Sequence, residues 1–188
     1  MTEHTKGFAL ITGASSGIGA IYADRLAHRG YDLILVARRA DRLRAIAGRI
    51  TAETGRKVEI VIADLSDRAD LRRVEDILRN DTRISILVNN AGLGPVTPLL
   101  NSNVEAMSDV ITVNVDALMR LTYAAAPKFV ERGAGSIINM SSAVAIGPDM
   151  LNGVYGASKA FVLAFSQSLR TRSGMQPRRR NAYTTSTI

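Results

Sequence analysis

The sequence predicts a doubly wound α/β domain built on a parallel sheet, and three observations carry that expectation. Five short, nearly continuous apolar runs recur along the chain, at 7–12, 32–37, 58–63, 84–89 and 136–140. Segments with apolar residues at helical spacing separate them. A glycine-rich stretch, TGASSGIG at 12–19, falls between the first run and the first helical segment. Strands that are apolar on both faces are covered on both faces. Joining them through helices by right-handed crossovers gives a parallel sheet between two helical layers.

The elements follow in order. After the strand GFALIT comes the helical segment GAIYADRLAHRG, which stops at Gly30, a residue suited to the position just past a helix. DLILVA is the second strand, and DRLRAIAGRITAETG then places Leu43, Ile46, Ala47 and Ile50 along one stripe before Gly55. VEIVIA leads to DRADLRRVEDILRN, whose stripe is Leu71, Val74, Ile77 and Leu78. ISILVN is followed by one long helical stretch from about Val104 to Val130, with Pro127 in its last turns. TVNVDA, inside that stretch, is a poor helix former. Beyond the fifth strand, SIINM, a last helix carries Tyr155 and runs on as KAFVLAFSQSLRTR, with Phe161, Leu163, Ala164, Phe165 and Leu169 available for burial. The remainder, SGMQPRRRNAYTTSTI, has no apolar run for a strand, and Pro177 opposes a helix. The expected organisation is one domain over 1–172 and a disordered tail over 173–188.

Composition narrows the function. With 188 residues and 46% of them apolar, the chain can bury one real core. No stretch of 18 apolar residues appears, and MTEHTKGFALITG lacks the apolar region and cleavage site of a secretory signal, so a cytoplasmic protein with no membrane span is expected. Cysteine is absent and the histidines are His4 and His28, which excludes disulfides and thiolate metal sites and leaves no imidazole cluster. The net charge of +7 belongs mostly to the tail: arginines stand at 170, 172, 178, 179 and 180 with no acid after them, leaving +2 on the first 169 residues. A nucleic-acid partner is therefore not expected.

The glycine stretch occupies the place of a phosphate-binding turn. Gly13 permits the tight turn, Gly17 lets a pyrophosphate approach the backbone, and Gly19 lets the helix pack close. Ser15, Ser16 and Ile18 complete that candidate loop, at the positive end of the helix dipole. The spacing is G-x-x-x-G-x-G rather than the common G-x-G-x-x-G. At the end of the second strand an acid would bond the ribose 2′-hydroxyl of NAD, and Arg38 and Arg39 stand there instead. Guanidinium forks suit a 2′-phosphate, so NADP(H) is preferred over NAD(H), with one of the two arginines expected to be a solvated loop charge. The missing acid also counts against a methyltransferase. Asp64, with Leu65 beside it at the end of the third strand, either accepts from the adenine amino group or caps the helix that begins near Asp67. Tyr155 and Lys159 lie four apart and share one helix face. A free phenol, with a pKa near 10, is a poor base at neutral pH, and a desolvated ammonium nearby favours the phenolate.

TGASSGIG at 12–19, NNAG at 89–92, Asn114, Ser142 and YGASK at 155–159 stand in one order, and from about Lys6 to Arg172 the chain resembles the short-chain dehydrogenase/reductase family. The resemblance implies an oxidoreductase moving hydride between a nicotinamide and a carbonyl or alcohol. Tyr155 would be its acid or base, and Lys159 would tune that phenol and bind the nicotinamide ribose. Ser142, rather than Ser141, would bond the substrate oxygen, and Asn114 would relay protons through a water. Asn90, Ala91 and Gly92 would line the adenosine and ribose side. The family associates through two helices, so a homodimer or homotetramer through 104–130 and 153–170 is expected. Family members continue past the tyrosine helix with a sixth strand, a Pro-Gly turn and a seventh strand. Here the sheet is expected to lack its last strands, through a frameshift or premature stop or as a naturally short member, leaving the fifth strand an exposed edge. The alternative function is an inactive nucleotide-binding or oligomerising fragment of such an enzyme.

Overall fold

A computed structural model of the chain describes residues 5–94, 98–147, 153–173 and 184–187. The strands are β1 (Phe8–Thr12), β2 (Asp32–Ala37), β3 (Val58–Ile62), β4 (Ile84–Asn89), β5 (Ser136–Asn139) and β6 (Thr184–Thr187). The α-helices are α1 (Gly17–His28), α2 (Ala40–Thr54), α3 (Arg68–Asn80), α4 (Val104–Ile111), α5 (Leu118–Arg132) and α6 (Gly153–Ser173). Every pairing is parallel and the order across the sheet is β3-β2-β1-β4-β5-β6. The order reverses between β1 and β4, which opens a crevice beyond their carboxyl ends.

The core divides as the apolar runs require. Along β1, Phe8 and Leu10 enter one cluster with Leu71 and Val74 of α3 and Leu121 and Phe129 of α5. Ala9 and Ile11 enter the other, with Ala23 and Leu26 of α1 and Leu43 and Ile50 of α2. Successive strand residues face opposite ways, so a strand wrapped by helices on both sides is apolar along most of its length, and its buried polar residues, Thr12, Asn89 and Asn139, stand at the carboxyl ends.

Two expectations are corrected. The stretch 104–130 is not one α-helix: Thr112–Ala117 forms a π-helical segment between α4 and α5. Three of those six residues, Thr112, Val113 and Val115, are β-branched and crowd an α-turn, and the buried Asn114 has partners of its own outside the helix. Pro127 stays inside α5. The second correction concerns the end of the chain. Thr184–Thr187 pairs in parallel with Ser136–Asn139, so β5 has neighbours on both sides and a strand stands in a segment expected to hold none. Threonine is β-branched and favours extended backbone, so TTST forms a short strand without an apolar run. The stretch 174–183 lies outside the described residues.

Candidate active site

Thr12, the last residue of β1, joins the two halves of the crevice. Its hydroxyl donates to the Val88 carbonyl (3.3 Å) and accepts from the backbone N–H groups of Asn90 and Ala91 (3.0 Å each). The Asn90 amide donates back to the carbonyls of Thr12 (2.9 Å) and Gly13 (3.3 Å). The NNAG turn is thereby fixed onto the glycine turn.

That contact dictates the glycines. Gly13 has φ +66°, and a Cβ there would lie 2.9 Å from the Ala91 Cα. A Cβ on Gly19 would lie 2.5 Å from the Gly13 carbonyl oxygen and 2.5 Å from the Asn90 amide nitrogen, so this glycine makes room for the turn itself rather than for the sheet. Gly17 differs: its φ is +54° and nothing stands within 4 Å of where a Cβ would be. Ser16 precedes α1 without a side-chain capping bond. The first turn of α1 therefore keeps its N–H groups and open space beside Gly17, which is what a pyrophosphate requires.

A cleft of about 420 Å³ runs from this turn across the carboxyl ends of β1, β2, β3 and β4. Of the expected cofactor residues, Gly13, Ser15, Ser16, Arg38, Arg39, Asp64, Leu65, Asn90, Ala91 and Gly92 line it. Gly17, Gly19, the exposed Ile18, Tyr155 and Lys159, also expected at the cofactor, are not among its lining residues. Arg39 donates to the hydroxyls of Ser15 (3.1 Å) and Ser16 (2.9 Å), tying the end of β2 to the glycine turn. Arg38 sits 3.6 Å from the Asp64 carboxylate. Asp64 does not cap α3; Asp67 does, accepting from the N–H groups of Ala69 and Asp70. Burial raises the Asp64 pKa, but the hydroxyl and N–H of Ser66 and the Arg38 charge outweigh it and hold the carboxyl below its ordinary value. Ser66, Asp109 and Val113 also line the cleft, and no sequence motif marked them.

Gly92 joins the cleft to a second group of side chains. A Cβ there would lie 3.1 Å from the Asn114 side-chain oxygen and 3.6 Å from the Lys159 Nζ. Lys159 is only 6% exposed, donates to the Met140 carbonyl (2.9 Å), and places its Nζ 5.8 Å from the centroid of the Tyr155 ring. Burial lowers its pKa to about 8. Tyr155 is half-buried, and Gly94 packs on its ring.

Asn114 projects from the π segment. Its oxygen accepts from the Leu93 N–H (2.8 Å) and its amide donates to the Leu93 carbonyl (2.9 Å) and to the Ser158 hydroxyl (3.1 Å). Ser158 in turn donates to the Tyr155 carbonyl (2.7 Å). Ser141 donates to the Lys159 carbonyl (2.8 Å), whereas Ser142 heads a 3₁₀ turn, Ala143–Ala145, that packs on α6. Tyr155, Lys159, Asn114 and Gly92 thus converge, whereas the Ser142 hydroxyl accepts from the Val144 N–H at the head of its turn. Ser158 and Thr12 escaped the sequence reading because their partners lie 44 and 76 or more residues away, beyond any local pattern.

A model of the short chain dehydrogenase family matches residues 7–176. A very-long-chain 3-oxoacyl-CoA reductase of Coccidioides immitis is 39% identical over 168 residues, covering 86% of this chain and 48% of that protein. The human 17-beta-hydroxysteroid dehydrogenase type 3 is 38% identical over 166 residues, covering 87% of this chain and 53% of that protein. The chain spans about half the length of these curated relatives. Among solved structures, a bulky-bulky ketone specific alcohol dehydrogenase from Comamonas testosteroni superposes with a TM-score of 0.91 at 41% identity, over 97% of this chain and 70% of that one. A short-chain dehydrogenase from Sphingobium yanoikuyae in complex with NADPH gives a TM-score of 0.86 at 49% identity, over 88% and 65%.

Proposed function

The chain belongs to the short-chain dehydrogenase family, and from that premise we propose that it is an NADP(H)-dependent oxidoreductase interconverting a carbonyl compound and its alcohol. One observation carries the reading: a lysine ammonium is buried one helical turn from a tyrosine, beside Gly92, which itself lines the cleft beyond the glycine turn. Burying a charge is expensive, and a site that keeps one beside a phenol has a use for it.

The residues fit the cofactor. The uncapped start of α1 and the space beside Gly17 suit the pyrophosphate, and Arg38 and Arg39 suit a 2′-phosphate. The NADPH bound in the Sphingobium relative supports the same choice. Bound there, the nicotinamide supplies hydride to the carbonyl carbon or takes it back from the alcohol. Tyr155 gives its hydroxyl proton to the carbonyl oxygen as the carbon–oxygen π bond opens, and in the reverse direction receives it. The Lys159 ammonium, held by the Met140 carbonyl, offsets the charge left on the phenol oxygen. The Ser142 hydroxyl donates to the substrate oxygen while that oxygen carries negative charge. The sum is a carbonyl, NADPH and one proton giving an alcohol and NADP⁺.

The test uses the full chain with NADPH and a panel of ketones and aldehydes, beside NADPH and NADH fluorescence titrations. Tyr155→Phe is expected to lower turnover at least a hundredfold while leaving the NADPH Kd within about threefold, since the lost hydroxyl is the proton donor. NADPH is expected to bind at least tenfold more tightly than NADH. Unchanged turnover in the variant refutes the role of the phenol, and NADPH binding without any turnover by the parent chain replaces the reading with nucleotide binding alone.

A further inference from the structure

The face that α6 turns to the sheet is short of apolar surface. Among its described residues Gly156, Ser158, Lys159, Val162 and Ser166 are buried, and Val162 is the one branched aliphatic side chain in that set. Apolar packing holds two elements together but lets them slide, whereas a buried hydrogen bond fixes distance and direction together. The place of α6 on the sheet is therefore set largely by its polar contacts.

Those contacts belong to a row across the carboxyl end of the sheet. The Asn89 amide donates to the Thr122 hydroxyl of α5 (3.1 Å) and to the Asn139 side-chain oxygen (2.9 Å). The Asn139 amide donates to the Ser166 hydroxyl of α6 (2.9 Å), which donates to the Val162 carbonyl (2.8 Å). Thr122, Asn89, Asn139 and Ser166 are all buried. Asn139 ends β5, and the carbonyl of the next residue, Met140, is the acceptor for Lys159 Nζ. The Met140 N–H is held in turn by the Asn89 carbonyl (3.0 Å). β5 and its loop are thus tied to α6 at Lys159, through Met140 and Ser141, and again at Ser166, roughly 10 Å further along the helix. Ties that far apart fix the tilt of α6 as well as its distance. Apolar side chains of the same shape would hold the layers together without the desolvation that buried amides and hydroxyls cost, so cohesion alone does not account for the row.

We propose that Asn139 and Ser166 are positioning residues, whose bond keeps α6 where the Lys159 ammonium stays on the Met140 carbonyl. The use of that hold in catalysis rests on the hydride-transfer reading, in which the ammonium must sit beside Tyr155. The hold itself does not.

The experiment compares the parent chain with Ser166→Ala, which removes the acceptor on α6, and Thr122→Ala, which removes a buried bond at the other end of the row without touching α6. Isotope-labelled lysine gives NMR signals for Lys6, Lys57, Lys128 and Lys159 alone, and the signal lost in Lys159→Met assigns the last. Exchange of the Lys159 ammonium protons with water is read at mildly acidic pH, and steady-state kinetics with NADPH on the best ketone of the panel. Ser166→Ala is expected to speed the exchange at least about tenfold, and to lower kcat at least about tenfold with the ketone KM within about threefold, since the ammonium acts on the phenol and not on the ketone. Thr122→Ala is expected to leave both within about twofold of the parent. Equal changes in the two variants mean that the row contributes only stability, and overturn the proposal. So does a Ser166→Ala chain that exchanges as slowly as the parent, or a parent whose Lys159 gives no slowly exchanging signal. Faster exchange with unchanged kcat sustains the hold and refutes its use in catalysis. If the parent binds NADPH but reduces no ketone, hydride transfer is refuted and the exchange rates alone decide the hold. Should far-UV circular dichroism show Ser166→Ala unfolded, Ser166→Cys takes its place. It keeps a weak sulfur acceptor in a similar volume and is expected to exchange about threefold faster than the parent, with a parent-like rate overturning the proposal.

Discussion

At the scale of single residues the decisive balance is at Lys159. Its pKa falls from 10.5 to about 8 because burial penalises the ammonium, and at about 1.4 kcal/mol per pKa unit that is a cost of roughly 3 kcal/mol. The sign follows from proton counting. Below pH 8 the lysine is charged in the folded and unfolded chain, and the full penalty applies. Between 8 and 10.5 the unfolded chain binds a proton that the folded chain does not, so stability rises with pH until the penalty is gone. Lys159→Met removes the charge but leaves the Met140 carbonyl without its donor, which costs about 1 kcal/mol. The variant is expected to be inactive yet about 1–2 kcal/mol more stable than the parent at pH 7, with the gain disappearing by pH 10. Urea unfolding at the two pH values reads this directly, and a less stable variant at pH 7 means the ammonium is held at no cost. In the active protein the same group predicts kcat/KM falling as pH rises through about 8. Spacing put Tyr155 and Lys159 on one helix face, and the family resemblance gave them their expected roles; Arg38, Arg39 and Asp64 were readable as residues at strand ends, and the structure places those three in the cleft lining. What spacing could not supply was the meaning of each contact. Asp64 had two open readings until Asp67 was found capping α3, and Arg39 gave no sign that it would bridge to Ser15 and Ser16.

At the scale of elements, β1, β2 and β4 were readable because they are buried on both faces and almost wholly apolar; β2 and β4 run over the residues their apolar runs marked. The π segment was readable only as a weakness. Val113 and Val115 argue against a helix locally, but the compensation comes from Asn114 clasping Leu93 and reaching Ser158, contacts that exist only once β4 and α6 are in place. β6 was missed because its residues are three threonines and a serine, for which a search keyed to apolar runs has no signal. The glycine turn is where element packing is least forgiving. Gly19→Ala would set a Cβ 2.5 Å from a backbone carbonyl that cannot rotate away, so α1 must separate from the β1 turn. The expected loss is about 1–3 kcal/mol of stability, with NADPH binding lost as well. Gly48, exposed in the interior of α2, has nothing within 4 Å of its Cβ position, and Gly48→Ala is expected to add about 0.5–1 kcal/mol. Thermal unfolding of the two variants side by side tests whether the clash, rather than glycine removal as such, decides the sign; a tolerated Gly19→Ala contradicts the packing described.

At the scale of the whole molecule, one surface among the described residues carries a stacked row of aromatic rings. Tyr123 of α5 is 67% exposed, Phe161 of α6 is 37% exposed, and Phe165 stacks between them with ring centroids at 6.3 and 5.6 Å. Ile111 and Val130, on α4 and α5, are also exposed at 42% and 45%. A stacked aromatic row left in water forfeits part of what its burial is worth, about 25 cal/mol for each Å² of apolar surface covered. These are the helices through which the family resemblance expects self-association, and α6 carries both Tyr155 and Lys159. Pairing two copies across this face would therefore also stiffen the helix that holds the proposed catalytic pair. A stable isologous interface needs about 1,200–2,000 Å² in total, more than three rings supply, so α4 and the rest of α5 must take part. Sedimentation velocity at micromolar concentration is expected to show a dimer or tetramer, and Tyr123→Glu with Phe161→Glu is expected to shift it to monomer. Because both positions lie on the outside, the isolated fold should survive the change, and its far-UV circular dichroism should match the parent. If the parent chain sediments as a monomer, the aromatic row serves something other than self-association. If the double variant keeps the parent's mass, the copies meet elsewhere.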